Sequence, residues 1–198
     1  MDLRSLLDHP MLYSAWQFPF VAQKVAPFLA VHDPMRTGRV LEIGCGPGTN
    51  ASLFRQCDYV GVDLNPRYIT TARKKHRGTF IQGDATSFVL EDSQPFDLVF
   101  CNSLFHHLDD AAVERTLARA ASLLKPSGEL HLLDLVLPDQ PSVARFLARA
   151  DRGDYPRSLS AWQALLSQHF VQDAFTPYPV KFLSITCWQM MYFRGRPL

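Results

Sequence analysis

The chain has 198 residues, 47% of them apolar and 20% charged, with a formal net charge of +1. That length fits one domain with a sizeable core, and the near-neutral charge gives no electrostatic footprint for nucleic acid or an anionic membrane. Cys45, Cys57, Cys101 and Cys187 are scattered without a CxxC pair, so no metal site is predicted and free thiols in a reducing compartment are expected. No stretch approaches the roughly 18 apolar residues of a membrane span, nor does the N-terminus read as a signal segment; the expected location is the cytoplasm.

Apolar residues recur at near-helical spacing over 12–31, interrupted by Pro19 and Pro27, which predicts one or two leading helices. A strand is predicted over 39–43, ended by Gly44-Cys45-Gly46-Pro47-Gly48, with a helix over 49–55. Strand 58–62 follows, then a helix opened by Pro66 and running to about His76. Strands over 79–82 and 96–101 precede a strongly periodic helix over 111–124, stopped by Lys125-Pro126-Ser127-Gly128. A fifth strand covers 129–136. Beyond Pro138 the pattern predicts helices over 142–150 and 160–169 and strands over 170–175 and 181–193, the last long enough for an antiparallel partner at the sheet edge. Alternating strands and helices with short turns imply an α/β, doubly wound, mostly parallel sheet covered on both faces.

The segment 40–49 is the most informative. A strand feeding three alternate glycines lets the backbone turn sharply and approach a ligand closely. Three further strand ends carry polar groups after apolar runs. Asp63 can accept two hydrogen bonds from ribose hydroxyls. Asp84, in Gly83-Asp84-Ala85, is placed to accept from an adenine amine, and Asn102 follows the fourth strand. The structural alternatives are ordinary: Asp63 capping the helix near Pro66, Asp84 capping the turn at Thr86-Ser87, Asn102 in a plain turn.

With these motifs the chain resembles the class I S-adenosylmethionine-dependent methyltransferases acting on small molecules. The carrying residues are Leu41-Glu42-Ile43-Gly44-Cys45-Gly46-Pro47-Gly48, Gly61-Val62-Asp63, Gly83-Asp84-Ala85, Phe96-Asp97-Leu98-Val99, Leu104-Phe105-His106-His107-Leu108 and Leu124-Lys125-Pro126-Ser127-Gly128-Glu129-Leu130. The resemblance implies a Rossmann-like seven-stranded sheet with an antiparallel last strand. It divides the single domain into a helical cap over 1–37, a cofactor-binding core over 38–136 and acceptor-side helices and terminal strands over 137–198. It further implies S-adenosylmethionine as cofactor, released as S-adenosylhomocysteine. Gly44, Cys45, Gly46 and Gly48 would lie under its methionine part with Glu42 bracing the loop, Asp63 would hold the ribose, Leu64 would pack on adenine, Asp84 and Ala85 would read the adenine edge, and Asn102 would lie near the methionine end and the sulfonium. The acceptor is expected to be a small molecule methylated on oxygen, nitrogen or carbon by in-line displacement, with no nucleic acid and an open oligomeric state.

A dinucleotide-dependent oxidoreductase competes, but its G-x-G-x-x-G fingerprint needs a third glycine where Thr49 stands. A non-catalytic cofactor-binding adaptor is the other alternative. An oxygen or protonated amine acceptor needs a base, and His106 or His107 is a candidate; the structural alternative has His107 packed inward and His106 lining the loop. Tyr13 and Trp16 are candidate acceptor-pocket residues, either of which could close over the cofactor as a lid, against a bland reading as ordinary core. Arg152 and Arg157, in the charged stretch 151–157, are candidates for gripping an acidic acceptor, against a bland reading of internal ion pairs in a loop.

Overall fold

A computed structural model describes residues 20–151 and 153–198. The predicted leading segment survives there as α1 (Val21–Val31), whose Val25 and Phe28 face inward; Tyr13 and Trp16, and the first part of that prediction, lie outside the described residues. Then come β1 (Arg39–Ile43), β2 (Asp58–Asp63), α2 (Pro66–Lys75), β3 (Thr79–Gln82), β4 (Phe96–Asn102), α3 (Asp110–Leu123), β5 (Leu124–Val136), α4 (Val143–Ala150), α5 (Leu159–Leu166), β6 (Phe170–Phe182) and β7 (Ile185–Pro197). The strands form one sheet in the order β3-β2-β1-β4-β5-β7-β6. The pairs β2–β3, β1–β2, β1–β4 and β4–β5 are parallel, while β7 runs antiparallel to both β5 and β6. The α/β, mostly parallel, seven-stranded architecture with an antiparallel last strand is thus present.

Both faces of the sheet are covered, which is why its central strands read as unbroken apolar runs. On one face Leu41, Ile43, Val60, Val99 and Cys101 pack under Val113 and Leu117 of α3 and Trp162 of α5. On the other, Val40, Tyr59, Leu98 and Phe100 meet Phe54, Ile69 of α2 and Phe28 of α1. The Phe28 ring lies 4.9 Å from that of Phe100, and burying such a side chain contributes roughly 1.5–3 kcal/mol.

Four boundaries differ from the sequence expectation, each for a local reason. The helix expected over 49–55 is a single 3-10 turn, Ala51–Phe54. β5 begins at Leu124, directly after α3, but Phe96 pairs with Leu124 and Leu98 with Glu129, so Lys125-Pro126-Ser127-Gly128 bulges out of the ladder. β6 runs on through Pro177 and Pro179 to Phe182; as the edge strand it has one side without a ladder partner, where a missing N–H does no harm. Lys181 therefore lies in β6, which ends at Phe182, and β7 begins at Ile185, after a turn in which Leu183 takes φ 53°.

Candidate active site

The predicted cofactor residues gather at the carboxyl ends of β1, β2 and β3, where open parallel sheets place ligands. Gly44 and Cys45 both donate to the carbonyl of Val62, and Gly83 N–H donates to the carbonyl of Asp63. The three loops are therefore tied to one another by backbone. Gly46 takes φ 54°, and a Cβ there would point into open space. Its N–H donates to Asp63 Oδ2 at 2.9 Å, while Asp63 Oδ1 accepts from Asn65 N–H at 2.8 Å. A carboxylate offers about four acceptor directions, so each oxygen keeps one for a ligand. Burial pushes the Asp63 pKa up, against these two backbone bonds. The helix-capping alternative falls to Asn65, whose side chain accepts from Arg67 N–H.

Glu42 is fully buried beneath this loop. Its carboxylate accepts from Asn50 Nδ2 at 2.7 Å and from the Tyr59 hydroxyl at 2.5 Å. Burial pushes its pKa to about 7, against the pull of both donors. Asn50 closes the turn after the glycines and touches Asn102, whose Nδ2 lies 3.5 Å from Asn50 Oδ1. Leu64 stands 66% exposed beside Asp63. Asp84 is exposed, its Oδ1 accepting from both the N–H and the hydroxyl of Thr86, which lowers its pKa. The turn-capping role is thus real, and it leaves Oδ2 pointing elsewhere. A broad open depression beside the β3 edge, lined by Arg73, Thr79 and Glu91, contains none of the predicted residues.

The histidines reverse the expected arrangement. His106 is the buried one and His107 the exposed one. His106 Nδ1 lies 2.6 Å from Asp134 Oδ1 and Nε2 lies 3.3 Å from Asp151 Oδ1. Burial opposes charge on the ring, but the two carboxylates outweigh it and hold the His106 pKa at about 9. Such a group is an imidazolium at neutral pH and has no lone pair with which to take a proton. Asp134 also accepts from the N–H groups of Leu104, Phe105 and Leu135, so it locks the loop after β4. Gly153 packs against His106 so closely that a Cβ would fall 2.2 Å from its ring.

Arg157 is a correction. It is buried, its guanidinium bonding Asp110 and the carbonyls of Phe105, Tyr155 and Leu108, with the Trp162 ring beneath it. These contacts occupy its donor fork, so it clamps the segment between α4 and α5 to the loop after β4 and has no donor turned to a ligand. Arg152 lies outside the described residues.

Sequence inspection missed Asn50, Tyr59, Asp134 and Lys24. Asp134 had a legible signal, a lone carboxylate within the apolar run Leu130 to Val136. Lys24, on α1, points its Nζ toward Ser103 Oγ at 3.4 Å; nothing local in the sequence marks it.

A methyltransferase-domain family model matches residues 40–128. The chain is 32% identical over 144 residues to the uncharacterized methyltransferase YcgJ of Bacillus subtilis, covering 65% of this chain and 55% of the relative. It is 34% identical over 104 residues to phthiotriol/phenolphthiotriol dimycocerosates methyltransferase of Mycobacterium leprae, covering 49% and 37% respectively. The chain thus spans about half or less of the length of these curated relatives. In structure it is similar to an S-adenosylmethionine-dependent methyltransferase from Clostridium acetobutylicum, with a TM-score of 0.71, 12% identity and coverage of 96% of this chain and 98% of that one. That likeness establishes the fold.

Proposed function

We propose that the chain is a class I S-adenosylmethionine-dependent methyltransferase, a reading supported by the methyltransferase-domain match over residues 40–128 and the likeness to YcgJ, and that it transfers a methyl group from S-adenosylmethionine to a small-molecule acceptor lying beyond the ends of β4 and β5. The observation that carries this is the joining of Gly46 to Asp63 at 2.9 Å, which brings an open glycine turn and a ribose-type acceptor to one place.

The residues fit the cofactor. Open space lies over Gly46, Asp63 retains acceptor capacity for two hydroxyls, and Leu64 offers an exposed apolar face for a base. Glu42, through Asn50, holds the turn from below, with Gly44, Cys45 and Gly48 shaping its path. Asp84 and Ala85 stand beside the adenine position, and Asn102 beside the reactive end. When bound, S-adenosylmethionine supplies a methyl group on a positively charged sulfur, a leaving group that needs no further activation. The protein's task is to hold donor and acceptor in line and exclude water, which contributes roughly 7–11 kcal/mol. His106 does not serve as general base in this scheme, since it stays protonated up to about pH 9; it sets the loop that carries Ser103 and Leu104.

Calorimetric titration with S-adenosylmethionine, S-adenosylhomocysteine and NAD tests the assignment. Binding of the first two, without NAD, is the expected result; binding of NAD alone would assign the chain to the oxidoreductases. Methyl-labelled donor with acceptor mixtures then separates an enzyme from a binding adaptor.

A further inference from the structure

His32, which caps the C-terminus of α1, meets Glu129 and His131 of β5. One ligand atom from each of the three lies within 4.8 Å of the other two. Glu129 is level with Leu98 and, through it, with Val40 at the start of β1. The cluster therefore lies toward the opposite end of the sheet from the 44–48 turn. We propose that His32, Glu129 and His131 bind one divalent transition-metal ion of the zinc class, which staples the end of α1 to the sheet and takes no part in methyl transfer.

Three observations converge. First, the donor set has the spacing that a metal needs. His131 Nε2 and Glu129 Oε2 lie 3.1 Å apart. Two such ligands on a tetrahedral zinc, each roughly 2.0–2.2 Å from it, stand roughly 3.3 Å apart. The pair forms a hydrogen bond without a metal and needs almost no movement to share one. His32 stands just past the last turn of α1, where a rotation of its side chain completes the set.

Second, both imidazoles are already oriented by outer partners. His131 Nδ1 lies 2.9 Å from the Tyr192 hydroxyl in the core, and His32 Nε2 lies 2.7 Å from Thr37 Oγ1. Ligating histidines are commonly fixed in this way, by a partner on the ring nitrogen that does not touch the metal. A metal can take the remaining nitrogen of each ring without breaking these bonds. It then replaces the proton between His131 Nε2 and Glu129, and the neutral ring carries its proton on Nδ1, donated to the Tyr192 oxygen.

Third, the surroundings suit a partly enclosed cation. Phe28 walls both imidazoles, its ring centroid 5.1 Å from that of His32 and 5.0 Å from that of His131. Such an apolar shell limits solvent access to the ligands. The Glu129 side chain stays 28% exposed, which gives the ion an entry path and room for water as a further ligand. Burial lowers the pKa of both histidines, in keeping with the neutral rings that coordination requires. Arg194, opposite His131 in the β5–β7 ladder, is the cation that opposes a metal here, and the Glu129 carboxylate offsets it. Two imidazole nitrogens select a zinc-class ion over Mg²⁺ or Ca²⁺, which favour oxygen ligands throughout.

The other such group among the described residues is His106, His107 and Asp151. There the His106 ring is held as an imidazolium by Asp134 and Asp151, so it has no lone pair for a metal. No cysteine takes part in the His32 site, and its residues come from two distant segments, which is why residue spacing predicts no metal there.

The test titrates the chelator-treated full chain calorimetrically with Zn²⁺ alone and, separately, with Mg²⁺. One zinc per chain at micromolar affinity or tighter is expected, with no magnesium binding. Glu129→Gln, which keeps a hydrogen-bond partner for His131, and His32→Gln should each weaken zinc binding by about tenfold or more, while His107→Gln should leave it unchanged. Zinc should raise the melting temperature of the wild type and not that of Glu129→Gln. Co²⁺ in place of Zn²⁺ should give the visible ligand-field bands of a four-coordinate site, lost in His32→Gln. Absence of zinc binding, unchanged binding in both Glu129→Gln and His32→Gln, or its loss in His107→Gln overturns the proposal. None of these outcomes bears on S-adenosylhomocysteine binding, which tests the proposed function separately.

Discussion

The two halves of the site are built by different means. The proposed cofactor half, at the ends of β1 to β3, is made mostly from turns closed within a few residues, Asp63 with Asn65 and Asp84 with Thr86, joined by the step of 17 residues from Gly46 to Asp63. The acceptor half is assembled from distant segments. Lys24 meets Ser103, 79 residues away, and His106 meets Asp134, 28 residues away. In the first half Asp63 and Asp84 accept from backbone N–H groups of the turns that carry them; in the second His106 is closed between Asp134 and Asp151. In the proposed arrangement a nucleoside would be read by preset local geometry, whereas an acceptor would be read by whatever the tertiary structure brings over it.

The largest expected effect breaks the acceptor half. Asp134→Ala removes four accepted hydrogen bonds and strands the His106 imidazolium; breaking such a buried pair costs about 3–5 kcal/mol, to be read as a lowered urea midpoint. Asp63→Ala strikes the cofactor half. Two hydrogen bonds to a charged group at about 1.5 kcal/mol each correspond to roughly a hundredfold loss of S-adenosylmethionine affinity, measured by calorimetry with a far smaller change in stability.

Next comes Arg157→Ala, which should lower stability by about 2–4 kcal/mol. If it instead raised the acceptor KM tenfold in a protein of unaltered stability, the clamp role would be wrong. The pH dependence of stability sharpens the contrast further. Because the folded His106 pKa lies at about 9, above its unfolded value near 6.5, its contribution is fully present below about pH 6.5 and is lost as pH rises through about 9. Thermal melts from pH 6 to 10 should therefore show a decline that His106→Gln flattens. The smallest effect is expected from Leu64→Ala, a two- to fivefold weakening of cofactor binding from lost contact with the base.

The histidine pair shows how far a linear reading reaches. Two adjacent residues after β4 were indistinguishable as letters, and only burial against Asp134 and Asp151 separates the imidazolium from its exposed neighbour. Arg157 teaches the same lesson. The charged stretch 151–157 is compatible with either a ligand grip or an internal clamp, and the choice depends on whether the carbonyls of Phe105 and Leu108 come within reach.

By itself the sequence determined the parallel core, the glycine turn and the carboxylates at the second and third strand ends. These depend on periodicity and on backbone geometry within a few residues, which composition and spacing encode directly. Only the tertiary structure decided the extent of β6, the burial of Glu42 under Asn50 and Tyr59, and the meeting of Lys24 with the loop after β4. Each of those depends on which surfaces pack together, and packing sets the local desolvation that decides the charge state of a titratable side chain.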